Sequence, residues 1–373
     1  MKDSFRRLSR FAFALVTVLA AHLVAAGVAL AVVTPEAAEQ ALFGKADPRV
    51  QAAMAAQDRH ADFILGQPGV VGTATGLARD GRPAVLVLVE SFEAARPAFI
   101  PGALDGVPVV VIVTGEIKAL AKGGQPGPPG SGDRCSADPT ARYVRPVPIG
   151  VSTGHPDITA GTIGARVTDS ADVYALSNNH VYADENRASF GNNALQPGSY
   201  DGGKDPADAI GTLDDFEPIC FSAVQAGCND GGTNDVNKNT IDAAIALSTT
   251  AELGNATPCA DYGTPKSATA EPALNLNVMK YGRTTGLTKG RITGINAAVN
   301  VGYDTGTARF VGQIIIQPGS FSAGGDSGSL IVVQKGADAR KPVGLLFAGS
   351  PQITIANPIG AVLQRFDVTI DGE

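Results

Sequence analysis

A chain of 373 residues is long enough for two domains, and 44% hydrophobic against 17% charged residues gives it a large core to bury. A formal net charge of −7 leaves no basic stripe to neutralise phosphates, and the absence of Trp with only 6% aromatics leaves no base-stacking platform, so nucleic acid is excluded as a partner. Gly 45 and Pro 24 favour short strands and turns over helices.

Lys2, Arg6, Arg7 and Arg10 precede an apolar run from Phe11 to Val33. That is the pattern of a secretory signal, and Ala29-Leu30-Ala31 offers a cleavage site, so residues 1–31 read as a signal peptide. The run is also long enough to remain as a membrane anchor. Either way the rest of the chain is expected outside the cytoplasm, secreted or periplasmic, with membrane contact only through that segment. Four cysteines, Cys135, Cys220, Cys228 and Cys259, fit two disulfides in an exported chain, with three possible connectivities. Cys220 and Cys228 are the nearest pair. No CxxC or HxxxH spacing points to zinc, and neither a metal nor a cofactor is expected.

Residues 34–121 read as a small α+β domain. Residues 35–65 carry apolar residues at helical spacing, with a break near Asp47-Pro48. Strands are expected over 69–78 and 83–91, separated by the turn Asp80-Gly81, and over 106–115. A short helical segment is expected over Phe92–Phe99. Residues 122–141, rich in Gly, Pro and Ser, read as a linker open to proteases. From 142 to 373 short β-like segments alternate with Gly, Asn, Asp and Pro, and no helical period returns until 358–366. That texture suggests a sandwich or barrel.

Ser327 stands in "SAGGDSGSL", where glycines clear side chains from around a single hydroxyl. A serine nucleophile needs a base, and the base needs an orienting acceptor. Of four histidines, His22 lies in the leader, His60 in the first helix, and His155 in a turn before a proline, where it reads as structural. His180, in "SNNHV", follows the end of a strand, a position that exposes a ring but also suits a packing residue. Asp242 opens the apolar strand "DAAIAL". Burial there costs a carboxylate several kcal/mol unless it is paired. A histidine N–H would compensate it; capping a turn is the plainer role.

The order His180, Asp242, Ser327 is that of chymotrypsin and not of subtilisin or the α/β-hydrolases. Together "SNNHV", "DAAIAL", "GGDSGSL" and "KYGRTTGLTKGRI" (280–292) resemble the chymotrypsin-like serine peptidases, with bacterial enzymes of the α-lytic and streptogrisin type nearest. The resemblance covers 142–373. It implies an all-β catalytic domain of two β-barrels with a C-terminal helix, and an acyl-enzyme formed on peptide or protein substrates. His180 would be general base, Asp242 its orienter and Ser327 the nucleophile. The N–H groups of Gly325 and Ser327 would form the oxyanion hole, each worth about 3–4 kcal/mol in the transition state. "GLLFAG" (344–349) looks like the strand lining the substrate cleft, so Phe347, Ala348 and Gly349 are expected to bind substrate. Phe321, six before Ser327, falls at the pocket floor, which does not support a preference for Lys or Arg.

Departures from the family matter. Val181 replaces the usual Cys after the histidine, and Phe347 replaces a Ser that helps hold the Asp in many relatives. No Ile-Val-Gly-Gly start precedes the domain, so Asp326 needs a partner other than a freed N-terminus. In such relatives an α+β pro-region often assists folding and blocks the cleft; residues 34–121 suit that role or that of a permanent accessory domain. The rival reading is a non-catalytic or self-processing-only secreted binding module on the same fold. The Asn/Asp-rich stretch 228–239 lacks the regular ligand spacing of a Ca²⁺ loop and reads as a solvated insertion.

Overall fold

The computed structural model describes residues 41–96, 98–120, 137–221, 238–258 and 262–373. The expected leader or anchor, the linker up to 136, and most of the Asn/Asp-rich insertion fall outside these residues. So do Cys135, Cys228 and Cys259, and with them the disulfide pairings. Leu42–Glu373 forms one unit by its own contacts.

Among the described residues the first helix starts at Asp47 and Pro48, and the part of the expected helical stretch that covers 35–40 falls outside them. α1 (Pro48–Leu65) has Asp47 as N-cap, its carboxylate accepting from the Arg49 N–H at 2.8 Å. Val50, Ala53, Ala56, Ala61 and Ile64 fall on its buried face. They cover β1 (Val70–Leu77) and β2 (Pro83–Val89), an antiparallel pair, and β3 (Val107–Val113) joins β2 in parallel. β2 is an unbroken apolar run because both its faces are covered. Val85, Val87 and Val89 pack on the α1 side, while Leu86 and Leu88 join a cluster with Phe310 and Ile315. The helix expected over Phe92–Phe99 is not formed. Residues 92–96 are turns, with a proline at 97 ready to stop any helix after one turn. The segment ends in β4 (Lys118–Ala119).

The first barrel contains β5 (Ala165–Thr168), β6 (Val173–Ser177), β7 (Asn193–Leu195), β8 (Ala209–Phe216) and β9 (Ala244–Ser248), in the order β7-β8-β9-β6-β5. Ser152–Thr153 pairs with Gly161–Thr162, and Gly154 bridges back to Leu195, which closes the ring. α2 (Asn179–Tyr182) is a single helical turn after β6.

The second barrel contains β10 (Asn277–Gly282), β11 (Gly286–Gly302), β12 (Thr307–Gln317), β13 (Leu330–Val333), β14 (Pro342–Gly349) and β15 (Thr354–Pro358). Their order is β10-β13-β14-β15-β12-β11, and β11 pairs again with β10, so this ring is also closed. α3 (Ile359–Phe366) follows, and β16 (Thr369–Ile370) returns to pair with β5 of the first barrel. The fold class is therefore the two-barrel one with a C-terminal helix. β11 runs on past its barrel through three register shifts, and its far half pairs with β1. The sheet of residues 70–113 is thus hydrogen-bonded into the second barrel. Buried Gln57 of α1 fastens the joint, donating to the Asn296 carbonyl at 2.7 Å.

Candidate active site

β6 and β9 are antiparallel neighbours with Ser177 opposite Ala244. The residues just after one and just before the other therefore lie side by side. These are His180 and Asp242. His180 Nδ1 is 2.5 Å from Asp242 Oδ2, and both side chains are 0% exposed. The His180 N–H also points to Asp242 Oδ1 at 3.3 Å. A carboxylate facing Nδ1 holds the ring proton there and leaves Nε2 as the basic nitrogen. Nε2 is buried and has no hydrogen-bond partner among the described residues.

Asn residues of "SNNHV" hold this turn in place. Asn178 Nδ2 donates to the Asp242 carbonyl at 2.7 Å, and Asn179 Nδ2 donates to the Glu217 carbonyl at 2.8 Å. Val181 does by packing what a cysteine would do by bonding. It is fully buried, and its methyl groups fill the space above Gly161.

The support in doubt at Phe347 comes from elsewhere. Tyr303, in the turn between β11 and β12, donates its hydroxyl to Asp242 Oδ2 at 2.9 Å. Burial, and then the neighbouring Asp242 charge, push the Tyr303 hydroxyl well above its ordinary range, so it stays a donor. Glu185, just past α2, accepts from the N–H groups of Asp304 (3.2 Å) and Thr305 (2.8 Å), tying the tyrosine's turn to the histidine's element.

Ser327 lies between two glycines whose conformations a side chain would resist. Gly325 has φ +96° and Gly328 has φ +90°. A Cβ on Gly325 would stand 2.5 Å from Thr284 Oγ1, and one on Gly328 would stand 2.2 Å from Ser177 Oγ. The first barrel clamps the loop: Thr162 N–H donates to the Ser327 carbonyl at 2.7 Å, and Thr162 Oγ1 to the Gly325 carbonyl at 2.9 Å. Ser327 Oγ donates to the Phe347 carbonyl at 3.2 Å.

Asp326 finds its partner in Lys280. The two are 3.3 Å apart, both fully buried. Asp326 also accepts from Thr284 N–H (2.9 Å), Thr285 Oγ1 (2.7 Å) and Ala323 N–H (2.9 Å). "KYGRTT" is thus the cradle of the serine loop. Its Arg283 is fully buried and pairs with Asp201 of the first barrel at 2.5 Å.

Two expected substrate contacts change character. The Phe321 ring is wholly buried with Ile316, Ile331 and Leu346, so it backs the cleft from within the core rather than forming an open floor. The Phe347 ring also points into the core, 4.7 Å from Phe310, and only its carbonyl meets Ser327. Ala348 and Gly349 present backbone at the end of β14. His155 is packed and structural, with Nε2 3.1 Å from Asn192 Oδ1, and His60 faces Asp105 at 3.2 Å on α1.

Sequence reading missed Tyr303 and Lys280. Lys280 left a signal, a lysine inside the apolar strand "NVMKYG" that burial would force to find a carboxylate. Tyr303 left none, being 61 residues from Asp242.

The family of the Nal1 C-terminal domain matches residues 264–357, a stretch that begins ahead of the second barrel and runs through its strands. No curated protein matches the chain. Among solved structures, the chain is similar to a glutamic acid specific serine protease described as using a histidine triad in substrate binding, at 19% identity and TM-score 0.41, over 60% of this chain and 100% of that one. It is similar to protease A of Thermobifida fusca at 18% identity and TM-score 0.41, over 61% and 100%. It is similar to a Cellulomonas bogoriensis chymotrypsin at 17% identity and TM-score 0.39, over 61% and 99%. These likenesses are to bacterial chymotrypsin-like proteases; the two closed barrels stand on their own strand pairings.

Proposed function

We propose that this chain is an exported serine endopeptidase that cleaves peptide bonds through an acyl-enzyme, with neither metal nor cofactor. The observation that carries the proposal is the buried His180–Asp242 pair, 2.5 Å apart, in the same barrel whose Thr162 clamps the glycine-flanked Ser327 loop. Ser327 Oγ attacks the scissile carbonyl as His180 Nε2 takes its proton. Asp242 and Tyr303 hold the imidazolium, and the N–H groups of Gly325 and Ser327 meet the oxyanion. Water then releases the acyl group. Export rests on the basic and apolar N-terminus.

Ser327→Ala is expected to abolish labelling by a serine-directed phosphonate while the far-ultraviolet circular dichroism stays as in the wild type. Labelling that persists refutes the assignment. Tyr303→Phe removes one donor to a buried carboxylate, worth about 1.5–3 kcal/mol. We expect kcat to fall about tenfold or more with KM little changed. Equal kcat in the two proteins would reduce Tyr303 to a packing residue.

A second reading, a binding module that cuts only itself, draws on one observation: Ser327 Oγ bonds the Phe347 carbonyl instead of His180. Multiple turnovers on a peptide library dismiss it; a single cut per molecule favours it.

A further inference from the structure

One face of the second barrel carries two cations, Lys289 and Arg291, whose side chains have no counter-charge and no hydrogen-bond acceptor among the described residues. Register places Asn277 of β10 opposite Arg291 of β11, and Arg291 opposite Gln317 of β12. Gln334, just past β13, stands beside Asn277, its N–H donating to the Asn277 carbonyl at 3.0 Å. An arginine is thus set in a row of amides that crosses four strands. Lys289 lies two residues before Arg291 and so on the same face. Ile292 and Ile316, on the other face, fill the core. The groove over this row, about 620 Å³, also takes in Thr293 and Gln352, and among the described residues no Asp or Glu lines it. In a chain of net charge −7 that is a local reversal of sign.

At Thr293 and Gln317 this groove adjoins a second space, of about 190 Å³, between the N-terminal sheet and the barrel. Its walls are aliphatic: Leu77 of β1, Leu86 and Leu88 of β2, Ile112 of β3, and Ile315 and Ile353 on the barrel side. A cavity of about 150 Å³ with such a lining stays dry and takes up benzene, so this one has room for an apolar group of about six carbons. The strand beneath the cations has no free edge. At Arg291, β11 is paired with β10 on one side and β12 on the other, and the Ile292 N–H donates to the Leu276 carbonyl at 2.9 Å. An extended peptide finds no backbone ladder to join there, and the groove offers side chains only. The ligand that suits it has a negative head and an aliphatic tail. Gly319, in the turn before Phe321, borders both this groove and the separate opening beside Ser322 and Ala323.

We propose that groove and pocket together bind a single-chain anionic amphiphile, a medium-chain fatty carboxylate. Arg291 donates to both oxygens of the head, Lys289 adds a second positive charge, and the Asn277 and Gln317 amides donate beside them. The tail passes Thr293 and fills the aliphatic pocket. A few placed polar groups at the mouth of an apolar hole are the usual anatomy of a small-molecule site. Arg291 stands two residues, about 7 Å, along β11 from Thr293, and the pocket takes about six carbons, so a chain of about ten carbons spans both. The site uses neither His180 nor Ser327, and it stands whether or not the chain cuts peptides.

The test is calorimetric titration of the full exported chain with decanoate, kept below the concentration at which it forms micelles, beside acetate and decyltrimethylammonium. We expect one saturable site for decanoate, with the other two at least about tenfold weaker, a comparison that needs no variant to fold. The double variant Lys289→Gln, Arg291→Gln is expected to weaken decanoate at least about tenfold. Leu77→Trp fills the pocket from a half-buried position and is expected to abolish binding, with the circular dichroism as in the wild type. Equal binding of the cationic amphiphile, or no loss in the double variant, overturns the proposal. Acetate binding as tightly as decanoate also overturns it, leaving a plain anion site. So does uptake onto phosphatidylglycerol vesicles without a one-to-one complex with decanoate, which gives the face to a membrane surface. Displacement of decanoate by a glutamate-rich peptide at lower concentration gives it to an acidic protein and overturns it too.

Discussion

Asp242→Asn is expected to lower kcat by about four orders of magnitude at neutral pH. The carboxylate takes three donors: the His180 ring at 2.5 Å, the His180 N–H at 3.3 Å and the Tyr303 hydroxyl at 2.9 Å. An amide offers one acceptor oxygen and one NH2 group. The His180 backbone N–H can only donate, so it claims the oxygen at the Oδ1 position and the NH2 takes the place of Oδ2, which the ring and the Tyr303 hydroxyl share. The NH2 then faces His180 Nδ1, which must become the acceptor, and the ring proton moves to Nε2. The lone pair that should receive the Ser327 proton now points the wrong way. The pair is fully buried, so no solvent route restores the tautomer. Turnover of a peptide substrate from pH 6 to 9 checks this, with circular dichroism to show that the fold survives. If more than a tenth of the activity remains, Asp242 caps its strand and does not orient the base.

How much of this could be read from the residues follows from how far each contact reaches. Ser327 and its glycines are local: two positive φ values within four residues leave a mark in composition. His180 and Asp242 were found because each ends or begins a strand, and those strands are neighbours in the barrel. The supports around them are distant. Tyr303 reaches Asp242 from a hairpin turn, and a tyrosine in "VGYDTG" resembles any turn residue. The N-terminal strands were visible through their valines, but not their destination. A strand buried on both faces fits many sheets, and only the register shifts of β11 bring it alongside β1. Leu120 was the least legible. It stands at the edge of the Gly/Pro-rich stretch, and its carbonyl accepts the Gly325 N–H, 205 residues on by the numbering. Phe321 shows the opposite failure, since position alone suggested an open pocket floor and packing put the ring in the core.

Lys280→Met is expected to destabilise the protein by about 3–5 kcal/mol and to lower turnover with it. Lys280 and Asp326 are 3.3 Å apart and both are 0% exposed. Desolvation lowers the lysine's pKa from its ordinary value and Asp326 pulls it back only in part, so the pair is costly to keep charged even when intact. Methionine fills the stem's volume but strands the carboxylate, whose other donors come from Thr284, Thr285 and Ala323. Those four partners fix Asp326, and Asp326 fixes the peptide that carries Ser327. Adding Asp326→Asn removes the stranded charge while keeping an oxygen for the Thr284 and Thr285 N–H groups, which share Oδ1. The double variant should therefore regain at least half of the lost stability, measured as urea midpoints at equal slope. The lysine stands in the same hairpin that cradles the loop, so the serine loop and its support come from one barrel. If the double variant is no more stable than Lys280→Met alone, the lysine acts through packing and its charge is incidental to the loop.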